Sequence, residues 1–264
     1  MNLEKAEVIL CRRFIELAKS AYHKGICIYT DFLNLNEISI FHSMVKELPP
    51  ISYSMCGGYE GAERVKICFY GNLESRVTDL TGSEEVKTSE FPIVCLHIKP
   101  TNEKFAQELD HRDYLGAIMN LGTNRNKIGD ILIQGKEAYC YCDDMISEYI
   151  IMNLERIRHT NVSVKLAKEN AAVAEQNYKE VTGSVSSFRL DAMIALAFHT
   201  SRSSITGLIE GEKVYVNSRI VTSNSYVLKE GDIVSVRGFG KFRFLSQGNM
   251  TKKGRIYANL LIYA

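Results

Sequence analysis

A strand–helix–strand–strand–helix–strand rhythm across residues 91–166 constrains this chain more than any other feature. Phe91–Ile98 reads as an apolar strand stopped by Pro100, and 103–120 as a helix that ends at Gly122. Ile128–Ile133 and Glu137–Cys142 read as short strands joined by Gln134-Gly135-Lys136, a hairpin signal. Asp143-Asp144 can cap a helix carrying Met145, Ile146, Tyr149, Ile150 and Ile157, and Asn161–Leu166 closes with a strand. A βαββαβ order predicts a split, ferredoxin-like unit.

The segment before it is mixed α/β. Residues 3–23 are predicted helical, with Val8, Ile9, Phe14, Ile15 and Leu17 on helical spacing and Gly25 just beyond. A second helix is predicted over 36–48, closed by Pro49-Pro50. Ile51–Met55 and Val65–Tyr70 read as strands around Gly57-Gly58-Tyr59-Glu60-Gly61, a tight turn with positive-φ positions. That glycine stretch lacks the Lys-Ser/Thr of a phosphate loop. Residues 71–90 read as a boundary, and 167–182 as a polar helical linker.

Net charge is +1, but it is unevenly spread. Residues 183–264 carry 11 Lys/Arg against 5 Asp/Glu, and residues 1–182 carry 21 against 26. One polyanion-binding end on an acidic body fits that asymmetry. No run approaches the ~20 apolar residues of a membrane span, and the N-terminus is not signal-like, so a cytoplasmic chain is expected. Seven scattered cysteines offer no second ligand pair for zinc, so free thiols are expected, with no metal and no cofactor. His111-Arg112-Asp113 has a kinase-like look but no downstream Asp-Phe-Gly, and no catalytic residues are assigned.

From Ser186 the sequence changes character. Arg189-Leu190-Asp191 opens an apolar helix to Phe198, and Thr200 or Ser201 can cap a second helix over 203–210, ended by Gly211. Val214–Val216 leads to a turn at Asn217-Ser218-Arg219, and Glu230-Gly231-Asp232 precedes a strand over 233–237. Arg189, Ser201, Arg202 and Ser203 should lie near one end, with Lys213, Asn217 and Arg219 on the next turn. Cations neutralise phosphates, and hydroxyls and helix-start N–H groups donate to them. Each has a plainer role: Arg189 can simply pair with Asp191, Asn217 can simply form a turn, and Lys213 and Arg219 can be ordinary surface cations. Lys241, Arg243, Lys252, Lys253 and Arg255 either extend the patch or are merely solvated.

This pattern resembles the S4 RNA-binding domain, over 186 to about 245, with Ser218 where glycine often follows the Asn. Gly57–Arg64, His111–Gly116 and Lys127–Ile131 resemble hallmarks of the YlmH-like proteins, whose early motif is degraded here to Phe32–Glu37. The expected fold is α+β: 1–85 an N-terminal mixed domain, 86–167 a ferredoxin-like (RRM-like) domain, 168–182 a linker, and 183–264 an S4 domain with a strand extension. The resemblance implies a bacterial, ribosome-associated, monomeric protein that binds rRNA and tRNA. Its implied site is the large subunit carrying stalled peptidyl-tRNA, while a tailing factor extends the nascent chain. Further candidate RNA contacts are Tyr59, Arg64, His111 and Arg112, and Tyr139 and Tyr141 share a strand face on which bases can stack.

Two other classes are open. Pseudouridine synthases also carry S4 domains, but fewer than twenty residues follow Leu245 here and no acidic catalytic motif fits upstream. An adaptor role linked to cell division would use residues 1–90 on protein partners.

Overall fold

Two helices cover one face of a small sheet at the start of the chain. A computed structural model describes residues 5–71, 91–167, 178–252 and 254–263. Helix α1 (Lys5–Lys24) buries Phe14, Ala18 and Ala21, one stripe of its surface. Helix α2 (Leu35–Met44) starts at a capping box between Asn34 and Glu37 and buries Ile38, Phe41 and Met44. It is shorter than expected, because Val45–Glu47 tightens into a 3₁₀ turn before the prolines. Strands β1 (Ile28–Tyr29), β2 (Ser52–Cys56) and β3 (Lys66–Tyr70) pair antiparallel in the order β1-β3-β2. Ile67 and Phe69 of β3 meet Phe14 and Phe41 in the core.

The central segment is the ferredoxin-like unit. Strands β4 (Ile93–Pro100), β5 (Ile128–Gln134), β6 (Glu137–Asp143), β7 (Arg156–Ile157) and β8 (Thr160–Leu166) form one antiparallel sheet, ordered β5-β6-β4-β8-β7. Helices α3 (His111–Asn120) and α4 (Asp144–Asn153) pack on one face, over Leu96, Ile98, Cys140, Cys142, Val162 and Val164. All seven cysteines are free thiols, and burial pushes the Cys142 thiol up to about 12.

Three expectations for this unit are corrected. The helix predicted from 103 begins only at His111, because Asp110 forms a capping box with Asp113 and fixes the start. Ile157 belongs to β7, a short hairpin on β8 turned through Arg158 at φ 51°, and not to the preceding helix. The linker expected at 168–182 lies outside the described residues up to 177, and from Tyr178 the chain is strand.

Within residues 1–175, which form one compact unit, buried charge ties the two sheets together. Lys66, 2% exposed, pairs with Asp143 at 2.6 Å. Asp143 also accepts from Lys127, which bridges to Asp31 at 2.6 Å. Asp130 on β5 accepts the Tyr59 hydroxyl at 2.7 Å and the backbone N–H groups of Glu63 and Arg64 at 2.7 and 3.2 Å. The Arg64 guanidinium donates to the carbonyls of Phe32, Arg125 and Ile128. Gly58, at φ +95°, lies so close to Tyr141 that a Cβ would sit 2.4 Å from its ring. Gly58→Ala therefore combines backbone strain with a clash that a sheet residue cannot evade. It should cost about 2 kcal/mol or more, read as a lower urea midpoint.

Residues 176–264 form the second compact unit. Its six-stranded sheet is built from β9 (Tyr178–Val185), β10 (Val214–Val216), β11 (Arg219–Ile220), β12 (Ile233–Val236), β13 (Gly240–Met250) and β14 (Ile256–Tyr263). The order is β11-β10-β12-β13-β14-β9, with every neighbouring pair antiparallel. Helices α5 (Leu190–Ala197) and α6 (Arg202–Glu210) bury Leu190, Met193, Ile194, Ile205 and Ile209 against Phe242, Phe244 and Leu260.

Candidate nucleic-acid interface

The two short helices bring their N-termini to one buried carboxylate. Arg189 is the N-cap of α5, and Arg202 is the first residue of α6, after the cap Ser201. Asp191 is 5% exposed. It accepts from Arg189 Nε at 3.3 Å and Arg202 Nε at 3.2 Å, with a shorter contact from Arg202 Nη2. Two cations against one anion leave the cluster net positive. The Arg189 and Arg202 side chains are 39% and 50% exposed, and N–H donors not given to Asp191 remain to face a ligand.

The hydroxyls sit beside them. Ser201 Oγ accepts the Ser204 N–H at 3.2 Å and lies 3.0 Å from Ser203 Oγ, and Thr200 meets Ser204 at 2.9 Å. These side chains are exposed or half-exposed, at the start of a helix whose first N–H groups carry the positive end of its dipole.

The other three expected contacts do not join this cluster. Lys213 lies beyond the opposite end of α6, about 13 Å along a nine-residue helix, and its carbonyl accepts from the backbone N–H of Arg237, an exposed residue. Sequence reading passed over Arg237, because only the β10–β12 pairing puts it next to Lys213. Asn217 is a turn former: at φ 49° its amide donates to Asp232 at 2.8 Å and accepts from the Ile233 N–H at 2.9 Å. Arg219 is exposed on β11, beside Ser218, which takes φ 61° where glycine is the easier residue. Neither Lys213 nor Arg219 forms an ion pair among the described residues.

Further cations divide similarly. Lys241 is buried, with its ammonium 4.4 Å from the Tyr263 ring, and Arg255 is held by Ser184. Arg243 is half-buried, Lys252 is exposed, and Lys253 lies outside the described residues.

In the first unit Tyr59 is corrected from an exposed contact to a buried one and Arg64 to a half-buried one, because Asp130 takes the Tyr59 hydroxyl and three carbonyls take three of the five Arg64 N–H donors. His111 and Arg112 are exposed at the start of α3, and Arg112 lines a groove of about 540 Å³ with Arg156 and Arg158. Tyr141 is stacked under Tyr59 at 5.0 Å and is closed to a base.

Residues 87–171 match the family model for the putative RNA-binding domain in YlmH, and residues 188–234 match the S4 domain. The chain therefore carries a YlmH RNA-binding domain followed by an S4 domain. It is 29% identical over 229 residues to ribosome-associated protein quality control protein P2 of Bacillus subtilis (strain 168), covering 86% of this chain and 83% of that protein. It also resembles a solved structure, cell division protein YlmH from Streptococcus pneumoniae, at 17% identity and a TM-score of 0.49, covering 64% of this chain and 94% of that one.

Burial works to raise the Asp191 carboxyl, but the Arg202 and Arg189 guanidiniums outweigh it and hold the group below its ordinary value. The charged carboxylate is thus the folded-state form. Its stabilisation is complete above the unfolded aspartate value of about 3.9 and is lost as pH falls through the lower folded value. Asp191→Asn should cost about 1–2 kcal/mol at pH 7, allowing for the half-exposed guanidiniums. Thermal melts of the two proteins should begin to converge as pH falls below about 4 and coincide only under the lower folded value.

Proposed function

We propose that this chain is a non-catalytic RNA-binding factor of the bacterial cytoplasm. In this reading it acts as a monomer on the large ribosomal subunit, gripping rRNA and tRNA and steadying peptidyl-tRNA on stalled subunits while a partner factor extends the nascent chain. The observation that carries it is the Asp191-centred pair of arginines, open to solvent beside a row of hydroxyls at a helix start. A buried carboxylate fixes the guanidiniums in place, so little side-chain entropy is lost when phosphate oxygens meet them. Folded RNA is read through backbone and shape, which suits a shallow cationic face. The ribosome enters through the Bacillus subtilis relative, whose name assigns it to ribosome-associated quality control.

The test must respect the pairing. Arg202→Glu would set a second carboxylate against Asp191 and confound loss of RNA with loss of fold, so it is not a clean probe. Arg202→Lys keeps the charge and removes the fork, and Lys213→Glu with Arg219→Glu reverses two exposed cations that form no ion pair among the described residues. Both proteins should melt close to wild type. In co-sedimentation with purified large subunits Arg202→Lys and the double variant should each bind about tenfold more weakly, and wild-type association should fall steeply with salt, by about 0.7–0.9 log units per log unit for each phosphate contact. Binding that ignores both salt and these substitutions would defeat the reading.

A further inference from the structure

The central sheet has a second face, opposite α3 and α4, and among the described residues it is covered only in part. Residues directly opposite on paired strands share a face, so Leu132, Tyr139, His97 and Lys165 form one row across β5, β6, β4 and β8. The next row along holds Lys99 opposite Ser163. In the other direction Cys95 lies opposite Tyr141, and there Tyr59 and Gly58 lie on the sheet. Among the described residues that cover reaches Tyr139, which is buried with Tyr59 and Tyr141, and it leaves His97 half-exposed. Over His97, Lys99, Tyr139, Ser163, Lys165, Leu166 and Ala167 the structure leaves a cleft of about 330 Å³.

Rings furnish one side of this cleft. His97 and Tyr139 stack at 4.6 Å between centroids with planes 2° apart. That separation is close to the spacing of neighbouring strands, about 4.7–4.9 Å, so the two rings stand upright on the sheet side by side. Glu137 takes His97 Nε2 at 2.5 Å and holds the imidazole in that orientation. Tyr139 is 8% exposed, whereas the His97 side chain keeps 26% of its surface open. The strand order β6-β4-β8 turns the far face of His97 toward Lys165. Lys99 and Lys165 are exposed and form no ion pair among the described residues. A flat π surface with ammonium groups beside it is complementary to an unstacked nucleobase with its phosphates.

We propose that this face is a single-stranded RNA site, in which a base stacks on His97 as the third layer over Tyr139 while Lys99 and Lys165 take the adjoining phosphates. The site deepens the RNA-binding reading by giving the central domain its own RNA class, unpaired rather than folded. It uses none of the residues around Asp191, so the two sites can fail separately.

The probe is a labelled oligouridylate of roughly 12 nucleotides, bound to the full chain and followed by fluorescence anisotropy at low salt. His97→Gln retains a polar partner for Glu137 without the ring, and should weaken binding about tenfold with an unchanged melt. His97→Tyr restores a ring and should restore affinity to within about threefold of wild type. Lys99→Gln with Lys165→Gln should lower the log–log salt slope by about 1.4, two single-strand phosphate contacts. The Lys213→Glu, Arg219→Glu double variant should bind the oligomer as wild type does. Failure of the wild-type chain to bind overturns the site, as does His97→Gln binding unchanged. Loss confined to the Lys213/Arg219 variant would also overturn it, while leaving the S4 reading standing.

Discussion

A carboxylate taken out of water must be met by cations or N–H donors, and this constraint organises the whole chain. Asp143 fixes the buried Lys66, and Asp130 collects the Tyr59 hydroxyl and two backbone donors. In the second unit Asp191 gathers Arg189 and Arg202, and Asp232 ties Asn217 to the turn at Lys229. Each acid, half-buried at Asp130 and buried at the other three, has at least one partner more than ten residues away, so its removal from water is possible only in the folded arrangement. The helices and strands around it are held in register by the same bonds.

That economy separates two kinds of arginine. Arg64 sends its donors to three carbonyls inside the first unit and has a structural task. Arg189 and Arg202 each give part of the fork to Asp191 and keep the rest in solvent, which positions them without consuming them. Pairing and ligand contact are therefore compatible at one residue. The carboxylate replaces the disorder of two long side chains with a fixed geometry. The YlmH-like motifs at 57–64 and 127–131 make sense in the same way: they meet at Asp130 as the joint between two sheets, which their glycines allow to approach closely.

The strand and helix order of the central domain was legible because apolar periodicity and Gly/Pro punctuation record burial directly. Boundaries were less so. The helix start at His111 hangs on an Asp110–Asp113 capping box inside a stretch whose composition is helical throughout. The β7 hairpin depends on Arg158 accepting a positive φ, which favours glycine in sequence patterns. Strand β9 was hidden in a polar stretch, since among the described residues it is an edge strand paired with β14 alone and presents little apolar surface.

For the site, the sequence by itself determined which residue types stand at the helix starts, since caps and short-range motifs are local. The Arg189, Ser201, Arg202 and Ser203 grouping follows from two short helices in succession. Whether a side chain is spent or available was decided only by tertiary structure. Tyr59 and Tyr141 were lost to each other, Asn217 to Asp232, and Lys241 to the Tyr263 ring, all across separations that no local pattern encodes. The His97–Tyr139 stack was equally invisible, because strand register alone sets those rings side by side. Local chemistry selects the candidates; the distant partner that satisfies or spares each polar group decides its use.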